Sequence, residues 1–262
     1  MKKYFRVYSQ FIRMNISEIF AYRIHFINSL IGATVWGVFH VISVLLLTST
    51  VSRIYGWTSQ ELIILTASFS FLWGFFHFFF APNFEDIPDI IDRGDLDFIL
   101  LKPIDSQFFL TLQKINFSAF IRTLIGIVVL FIVINGLQLH ITMLQILSYL
   151  FTVFMGLILI YSLWFFVSTF IIWFPRLSNL TAFLFLISGI SRYPPEILQG
   201  TGQFIFLFLL PIFLFVSIPT KVLLHKALSG ELLLLFLCMV GFFLLARYFW
   251  KFALRHYTSA SS

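Results

Sequence analysis

Acidic side chains are the groups in this sequence most able to do chemistry, and most of them lie together. Seven of the eleven acids fall in one short stretch: Glu85, Asp86, Asp89, Asp92, Asp95, Asp97 and Asp105. Clustered carboxylates serve acid–base catalysis when other titratable groups are positioned beside them. This stretch contains no histidine, which argues against a lipid-modifying membrane enzyme. Residues 81–104 are called the acidic segment below.

Other residues that commonly carry chemistry are scattered along the chain. The sequence has no Gly-rich phosphate loop with its Lys, no HExxH motif and no GxSxG motif. Its six histidines show no metal-ligand spacing, and Cys238 is the only cysteine, so no disulfide and no thiolate metal site is possible. We expect a protein that is not an enzyme and that binds no metal or cofactor of its own.

The composition indicates a polytopic membrane protein. Hydrophobic residues make up 60% of the 262 residues, charged residues only 11%, and the mean hydropathy is +0.99. About a quarter of the residues of a soluble domain are charged. The net charge of +6 comes from basic residues spread over loop ends. Such residues set topology and attract anionic lipid head groups, and they do not form a nucleic-acid surface.

Six apolar stretches are candidates for crossing a bilayer, which takes about 20 helical residues. They cover residues 24–47, 62–80, 115–134, 143–174, 177–190 and 231–250. A seventh run, 204–218, is interrupted by Pro211 and closed by Pro219. We expect it to form a re-entrant helical hairpin before the last span, with a full crossing as the alternative. The predicted fold is an all-α integral membrane domain of six transmembrane helices that spans residues 1–262.

Residues 2–23 precede the first span and have an amphipathic pattern. Apolar residues recur at helical spacing, at Phe5, Tyr8, Ile12, Ile16, Ile19 and Phe20. The pattern predicts a helix that lies in the membrane interface. The alternative is a cytoplasmic extension of the first span.

Local signals divide the acidic segment into two short helices. Asp86 is placed to cap the first helix, Pro88 falls in its first turn, and Gly94 follows its end. The helix has an apolar side that consists of Ile87, Ile90 and Ile91. We therefore expect a small amphipathic hairpin at the membrane surface, within residues 82–107.

Lysine and arginine indicate the orientation. If the N-terminus is inside and the chain crosses six times, most basic residues lie inside. The outside segments then hold only Arg53, Arg192, Lys221 and Lys226. This asymmetry places both termini and the acidic segment in the cytoplasm.

No acidic residue lies in the middle of a span, since Glu61 and Glu231 stand at span ends. Proton-coupled carriers usually carry intramembrane carboxylates, so this absence counts against a self-sufficient channel or secondary carrier, which is the alternative function. A membrane protein with a charged cytoplasmic hairpin and no energy source of its own indicates a partner that supplies the energy.

Over essentially its whole length the chain resembles the membrane subunits of type-2 ABC exporters, which include drug and polysaccharide permeases. The resemblance rests on the six spans, the interfacial helix, the helix after the second span and the Pro-rich region before the last. Two sets of residues resemble the daunorubicin-resistance-like permeases of bacteria in particular. They are 91–97 (IDRGDLD) with 100–104 (LLKPI), and 192–194 (RYP) with 211–213 (PIF) and 218–219 (IP).

The resemblance implies a set of partners. It implies a separate ABC ATPase, two copies per complex, which binds the ATP and Mg²⁺, and a second permease that is identical or related. It also implies location in the bacterial inner membrane and export of a substrate. Apolar, Phe-rich walls suit an amphiphilic or hydrophobic substrate, although any helix interface has this character.

The resemblance also implies roles for two groups of residues. A coupling helix that docks on the ATPase would consist of Asp86, Ile87, Asp89, Ile90, Ile91, Asp92, Arg93 and Gly94, with the isoleucines as anchors and the acids steering the approach. The alternative is a loop that the acids merely keep solvated. An outer gate within residues 191–230 would include Tyr193, Pro194, Pro195, Pro211 and Pro219. Its alternative is irregular helix packing.

Overall fold

The chain is helical apart from one small hairpin in the residues that the computed structural model describes, which are 2–50, 53–137, 141–174, 179–198 and 211–257. The helices are α1 Lys2–Ala21, α2 Arg23–Thr50, α3 Ser59–Phe79, α4 Ala81–Asp92, α5 Asp95–Leu100, α6 Ser106–Leu112, α7 Phe120–Gly136, α8 Met143–Thr169, α9 Leu180–Ser188, α10 Leu214–Leu223 and α11 Ser229–Arg255. The hairpin pairs β1 Arg53–Ile54 with β2 Trp57–Thr58 in antiparallel register. The predicted all-α class is confirmed.

Five of the described helical stretches are long and apolar enough to cross a membrane. They are Arg23–Leu46, Ser59–Phe79, Phe117–Gly136, Met143–Ile172 and Ser229–Arg255. They fall on five of the six predicted spans. The predicted span 177–190 corresponds to a shorter apolar stretch, Leu180–Arg192, which lacks the length of a simple crossing. The predicted re-entrant run 204–218 lies partly outside the described residues, and only its end is seen, in α10.

Two glycines bring α3 and α7 into close contact. A Cβ atom on Gly126 of α7 would lie 2.5 Å from the backbone nitrogen of Phe71 and 2.8 Å from the carbonyl oxygen of Ala67. A Cβ atom on Gly74 of α3 would lie 2.5 Å from the backbone nitrogen of Thr123. Since only glycine fits at these positions, the backbones of the two helices approach as closely as small residues allow in membrane bundles.

Aromatic packing joins α8 to α3 and α9. Trp164 of α8 is fully buried. Its ring lies 5.4 Å from Phe76, 5.9 Å from Trp73 and 5.5 Å from Phe185, measured between centroids. Tilted and edge-on contacts of this kind add to the stabilisation from apolar burial. α8 also packs against α10 and α11, so it lies at the centre of the bundle.

α1 is a separate helix, but its protein-facing side differs from the predicted stripe. Phe11 and Asn15 are the buried residues of α1, and the Phe11 ring packs edge-on against Phe109 of α6 at 5.2 Å. Phe5 and Phe20 stay exposed. The prediction missed this face because it followed apolar residues alone, whereas hydrogen bonds bury the polar Asn15. Exposed phenylalanines beside basic residues are the pattern of a helix in the membrane interface.

Candidate functional site

The first helix of the acidic segment begins six residues earlier than predicted, at Ala81 and not after Asp86. Pro82 lies in the first turn of α4, where its lack of an N–H group interrupts the hydrogen bonding that continues from α3. Because α4 starts at Ala81, Asp86 lies inside the helix and does not cap it. The Asp86 carboxylate instead forms an ion pair with Lys114. Pro88 is likewise inside the helix and not in its first turn.

Gly94 ends the first helix as predicted. α4 stops at Asp92, and Gly94 follows with φ 74° and ψ 10°, in the left-handed region that glycine adopts without a steric penalty. α5 begins immediately afterwards. The segment is therefore a pair of short helices joined by a sharp turn.

The isoleucines of α4 do not have the exposure that docking anchors require. Ile87 is 2% exposed and Ile91 is 6% exposed, and both belong to the main hydrophobic core together with Leu96 of α5. Ile90 is partly buried against the same core. The apolar side of the hairpin packs onto the chain's own helices, so these residues support the hairpin from beneath. Ile87 and Ile91 therefore offer little surface to a partner, whereas Ile90 also lines the groove on the outer side of the hairpin.

The surface of the hairpin presents a mixture of charged and apolar groups. Asp89, Asp92 and Arg93 are exposed, and Asp89 lies 3.6 Å from Arg93 in an ion pair along α4. On α5 and just after it, Phe98 is 67% exposed and Leu101 is 81% exposed. Together with the less exposed Leu100, these side chains are exposed large apolar groups that the coupling prediction did not include.

A groove of about 480 Å³ runs along this surface between α4, α5 and α6. Its lining includes Asp89, Arg93, Asp95, Phe98 and Lys102. The groove wall therefore contains carboxylates, basic side chains and an aromatic ring.

Glu85 adds to the charge of the same helix. Burial raises the pKa of the Glu85 carboxyl, and the neighbouring Asp86 raises it further, against an opposing attraction from Arg122 of α7. Glu85 and Asp86 therefore repel each other when both are ionised, and Lys114 offsets part of this repulsion at Asp86.

Two asparagines fix the backbone between α6 and the 3₁₀ turn that opens the third span. Asn83 of α4 accepts a hydrogen bond from the Lys114 N–H at 2.8 Å, and its amide group donates to the Lys114 carbonyl at 2.8 Å. Asn15 of α1 accepts from the Ile115 N–H at 3.0 Å and donates to the Gln113 carbonyl at 2.9 Å. We call these two residues and residues 113–115 the asparagine clamp. It joins α1, α4 and the start of the third span at one point.

Asp105 joins α6 to the last span. Its carboxylate caps α6 by accepting from the Phe108 N–H at 3.2 Å and pairs with the guanidinium group of Arg247 on α11. Burial opposes ionisation of Asp105, but these contacts outweigh it and lower the pKa of the carboxyl below its ordinary value. The ion pair thus holds α6 against α11.

A second group of charges lies at the opposite end of the bundle, where α3 begins. We call it the far-end cluster, and its members are Trp57, Glu61, Glu196, Lys221, Lys226 and Glu231. Lys221 of α10 donates to Glu196 at 3.2 Å and to Glu231 at 2.7 Å. Burial disfavours the charged amine, but the two carboxylates outweigh it and raise the pKa of Lys221.

The far-end cluster connects elements that are distant in sequence. The Trp57 indole N–H donates to Glu196 at 3.1 Å, and Lys226 lies 2.7 Å from Glu61. The β hairpin, α3, the turn at Pro195–Ile197, α10 and α11 are therefore tied together. Sequence reasoning missed this cluster, although the presence of Glu61 and Glu231 at span ends was a signal for it.

Four of the predicted gate residues, Tyr193, Pro194, Pro195 and Pro219, lie within three positions of Glu196 or Lys221 of this cluster. Pro194 and Pro195 are buried, and Tyr193 is partly buried. Pro211 and Pro219 are buried as well, and Pro219 lies inside α10. Pro211 differs from the other four, because it precedes the start of α10 whereas Lys221 of the cluster lies near the end of that helix.

Within the described ranges, no group of three or more His, Cys, Asp or Glu side chains could hold a metal ion. The dense carboxylates of the acidic segment point outward or pair with basic groups, as Asp89 does with Arg93 and Asp86 with Lys114. This arrangement suits contact with another protein better than it suits coordination of a cation.

The family of the chain follows from comparison with known proteins. Residues 34–261 match the family described as ABC-2 family transporter protein. No curated protein and no solved structure matches the chain. The matched range includes the acidic segment, the far-end cluster and most of the candidate spans. The chain therefore belongs to the ABC-2 family of transporter proteins and is a multi-pass membrane permease of that family.

Proposed function

We propose that this chain is the permease subunit of an ATP-driven exporter and performs no catalysis itself. Permeases of the ABC-2 family associate in general with an ABC ATPase. In this proposal a separate ATPase, in two copies, binds ATP and Mg²⁺, and a second permease, identical or related, completes the pore. Both termini and the acidic segment face the cytoplasm of a bacterium, where the ATPase is found.

The observation that carries the proposal is the construction of the acidic segment. Its apolar side is buried in the bundle, while its outer side offers Asp89, Asp92, Arg93, Phe98 and Leu101 to a partner. Exposed aromatic and aliphatic groups ringed by charges are the usual composition of an interaction patch. A segment that only had to stay soluble would not need to consist of two helices with a buried apolar side.

Movement of a docked ATPase would reach the spans through the asparagine clamp. α4 is bound to residues 113–115 by Asn83, and α1 is bound to the same residues by Asn15. The third span starts directly after them, and the Asn116 N–H donates to the Phe78 carbonyl of α3 at 2.9 Å. A push on α4 is thereby shared among α1, α3 and α7, because buried hydrogen bonds resist being left unmade.

The far-end cluster and the prolines beside it would form the outer gate. Export requires this end to open, and the ion pairs of Lys221 join α10 and α11 to the 195–197 turn. Their separation would accompany opening, and their return would close the gate. Interfaces of this kind switch between discrete arrangements because packed elements do not deform continuously.

The coupling proposal is tested by reversing charge on the exposed side of α4. Asp89→Lys with Asp92→Lys is expected to reduce the ATPase that co-purifies with the permease about tenfold, equivalent to ~1.4 kcal/mol of binding free energy. Glu18→Lys, a reversal of an exposed acid on α1, is the matched control and should leave association unchanged. Unchanged co-purification of the double variant contradicts a docking role for α4.

The apolar part of the same patch has its own test. Phe98→Ala with Leu101→Ala should weaken ATPase association and leave the thermal stability of the permease unchanged, because both side chains are exposed. Ile87→Ala should lower the thermal stability of the permease and leave ATPase association unchanged. Truncating a buried isoleucine costs about 2–5 kcal/mol of folding free energy. Equal effects on stability from both changes would contradict this assignment.

A further inference from the structure

A large apolar cavity opens on the side of the bundle that the coupling and gating sites do not use. It has a volume of about 670 Å³ and lies between α3, α8 and α11, with α6 at one end. Six phenylalanine rings line it: Phe71, Phe75, Phe80, Phe108, Phe154 and Phe243. The volume is in the range of about 300–1,000 Å³ that ligand sites occupy.

The cavity opens toward the hydrocarbon of the membrane. It runs along three helices that are long enough to cross a bilayer. Leu150, Phe154 and Phe243 line it and are 46%, 60% and 44% exposed. An apolar chain that is already in the bilayer can therefore enter sideways without passing through water.

One end of the cavity is polar. Arg247 donates from Nη1 to Asp105 Oδ1 at 3.0 Å and to Gln107 Oε1 at 2.9 Å, and its Nη2 bonds to the other Asp105 oxygen. Gln107 donates in turn to the Tyr161 hydroxyl at 3.0 Å, and that hydroxyl bonds to Thr111 Oγ1 at 3.2 Å. These side chains also line the cavity. The polar groups lie at the end of the bundle that carries the acidic segment.

The balance of donors and acceptors at this end indicates which head group fits. Both oxygens of Asp105 accept from Arg247, and Oδ1 also accepts from the Phe108 N–H. A guanidinium group has five N–H donors, and three hydrogen bonds are formed from Nη1 and Nη2 of Arg247. Three of about four acceptor positions of Asp105 are occupied, while two of the five donors of Arg247 remain. The remaining donors favour a head group rich in acceptor oxygens, such as a phosphate.

We propose that this cavity binds a membrane amphiphile, with its apolar chain among the phenylalanines and an acceptor-rich head group against Arg247. The ligand would come from the leaflet on the side of the acidic segment, because the polar end lies there. Its identification as the exported cargo rests on the proposed function. Binding of the amphiphile does not rest on the proposed function, because the amphiphile needs no nucleotide and no ATPase to occupy the cavity.

Photolabelling of the full-length permease in lipid nanodiscs tests the proposal. The probe is phosphatidylglycerol with a diazirine in the middle of one acyl chain, added as a trace to unlabelled lipid. After illumination, labelled peptides are identified by mass spectrometry. We expect labelling concentrated on residues 150–161 of α8 and around Phe243. Phe131 and Ile132 of α7, which are 69% and 61% exposed, report the background of ordinary lipid contact.

Two variants make the result specific. Ile158→Trp, in the cavity wall, should reduce labelling of α8 about tenfold, the order of effect expected for a change of pocket size. Leu147→Trp, on the exposed face of the same helix, should leave it unchanged. Arg247→Lys should retain more labelling than Arg247→Gln, because a cation for the head group remains. This second comparison does not require a bulky side chain to fill the cavity.

Two results would overturn the proposal. One is labelling of α8 no greater than that of α7, and the other is labelling of α8 that Ile158→Trp does not reduce. Neither of these depends on whether an ATPase co-purifies. If the cavity is not labelled but an ATPase co-purifies, the exporter proposal is unaffected. If the cavity is labelled but no ATPase co-purifies, the cavity proposal is unaffected.

Discussion

Single side chains carry much of the connection between the interfacial helix, the acidic segment and the spans. Asn83 is fully buried and satisfies both the N–H and the carbonyl of Lys114, and it also donates to the Phe79 carbonyl at 3.0 Å. A side-chain amide has a donor and an acceptor at fixed spacing, so it can replace a missing backbone partner in an irregular segment. No aliphatic residue of the same size could take its place.

Replacement of Asn83 should loosen this junction. Asn83→Ala leaves the Lys114 N–H and carbonyl without their partners, and each unmade buried hydrogen bond costs about 1–3 kcal/mol of folding free energy. We expect a lower thermal midpoint for the detergent-solubilised protein, read from loss of the monodisperse chromatographic peak on heating. Ser17→Ala on the exposed side of α1 is the control. A midpoint equal to that of the unaltered protein contradicts the clamp.

The Asp105–Arg247 pair predicts a dependence on pH. The pKa of Asp105 is lowered in the folded protein, so its ionised form stabilises the fold above its ordinary pKa of 3.8. That stabilisation is lost as the pH falls through the lowered value. The stability difference between the unaltered protein and Asp105→Asn should therefore be largest at neutral pH and shrink below about pH 4. Thermal midpoints of both proteins from pH 7 to pH 3 measure this difference. Curves of midpoint against pH that run parallel for the two proteins would contradict the prediction.

At the scale of elements, the sequence predicts where α4 ends better than where it starts or what it contacts. Gly94 ends α4 through its left-handed backbone, which is a local property. The start predicted at Asp86 is wrong, because α4 follows α3 almost directly and begins at Ala81. An apolar helix face, in contrast, is the same pattern whether it packs on its own chain or on a partner. Ile87 and Ile91 were for this reason assigned to the ATPase, and the structure places them in the core.

The ion pairs of the far-end cluster could not be predicted from the sequence, because their partners also depend on how the helices pack. Lys221 meets Glu196 across 25 positions of sequence and Glu231 across 10. Only the packing of α10 against α8 and α11 sets these partners, and hydropathy contains no information on that packing. The double role of Lys221 makes it the residue on which the cluster depends.

Removal of Lys221 should therefore cost more than removal of either acid. Lys221→Met leaves two partly buried carboxylates without their cation, with an expected loss of about 1–3 kcal/mol. Glu196→Gln leaves the ion pair between Lys221 and Glu231 intact and should cost less. Because the residues share one network, the double variant should be non-additive. Thermal midpoints of the three variants test this, with Lys251→Met at an exposed cation as control. Equal losses from both single changes would contradict it.

At the scale of the whole molecule, hydropathy was sufficient to predict the class, and five of the six spans coincide with long helices. The short stretch Leu180–Arg192 and the half-seen run into α10 depart from simple crossings. Both end near the far-end cluster, but α9 also contacts α4 of the acidic segment. The docking patch lies at the end of the bundle opposite the cluster. α3 joins the two ends, since it starts beside Glu61 and continues into α4. This placement suits a protein that receives force at one end and opens at the other.

The measurement that tests this account most directly is purification of the tagged full-length protein from its native host in mild detergent, with quantitative mass spectrometry of the proteins that accompany it. The account predicts an ABC ATPase at one copy per permease chain, together with one or two permease species. A chain that purifies alone, under conditions that keep another ABC transporter of the same host intact, contradicts the account and indicates a self-sufficient channel or carrier.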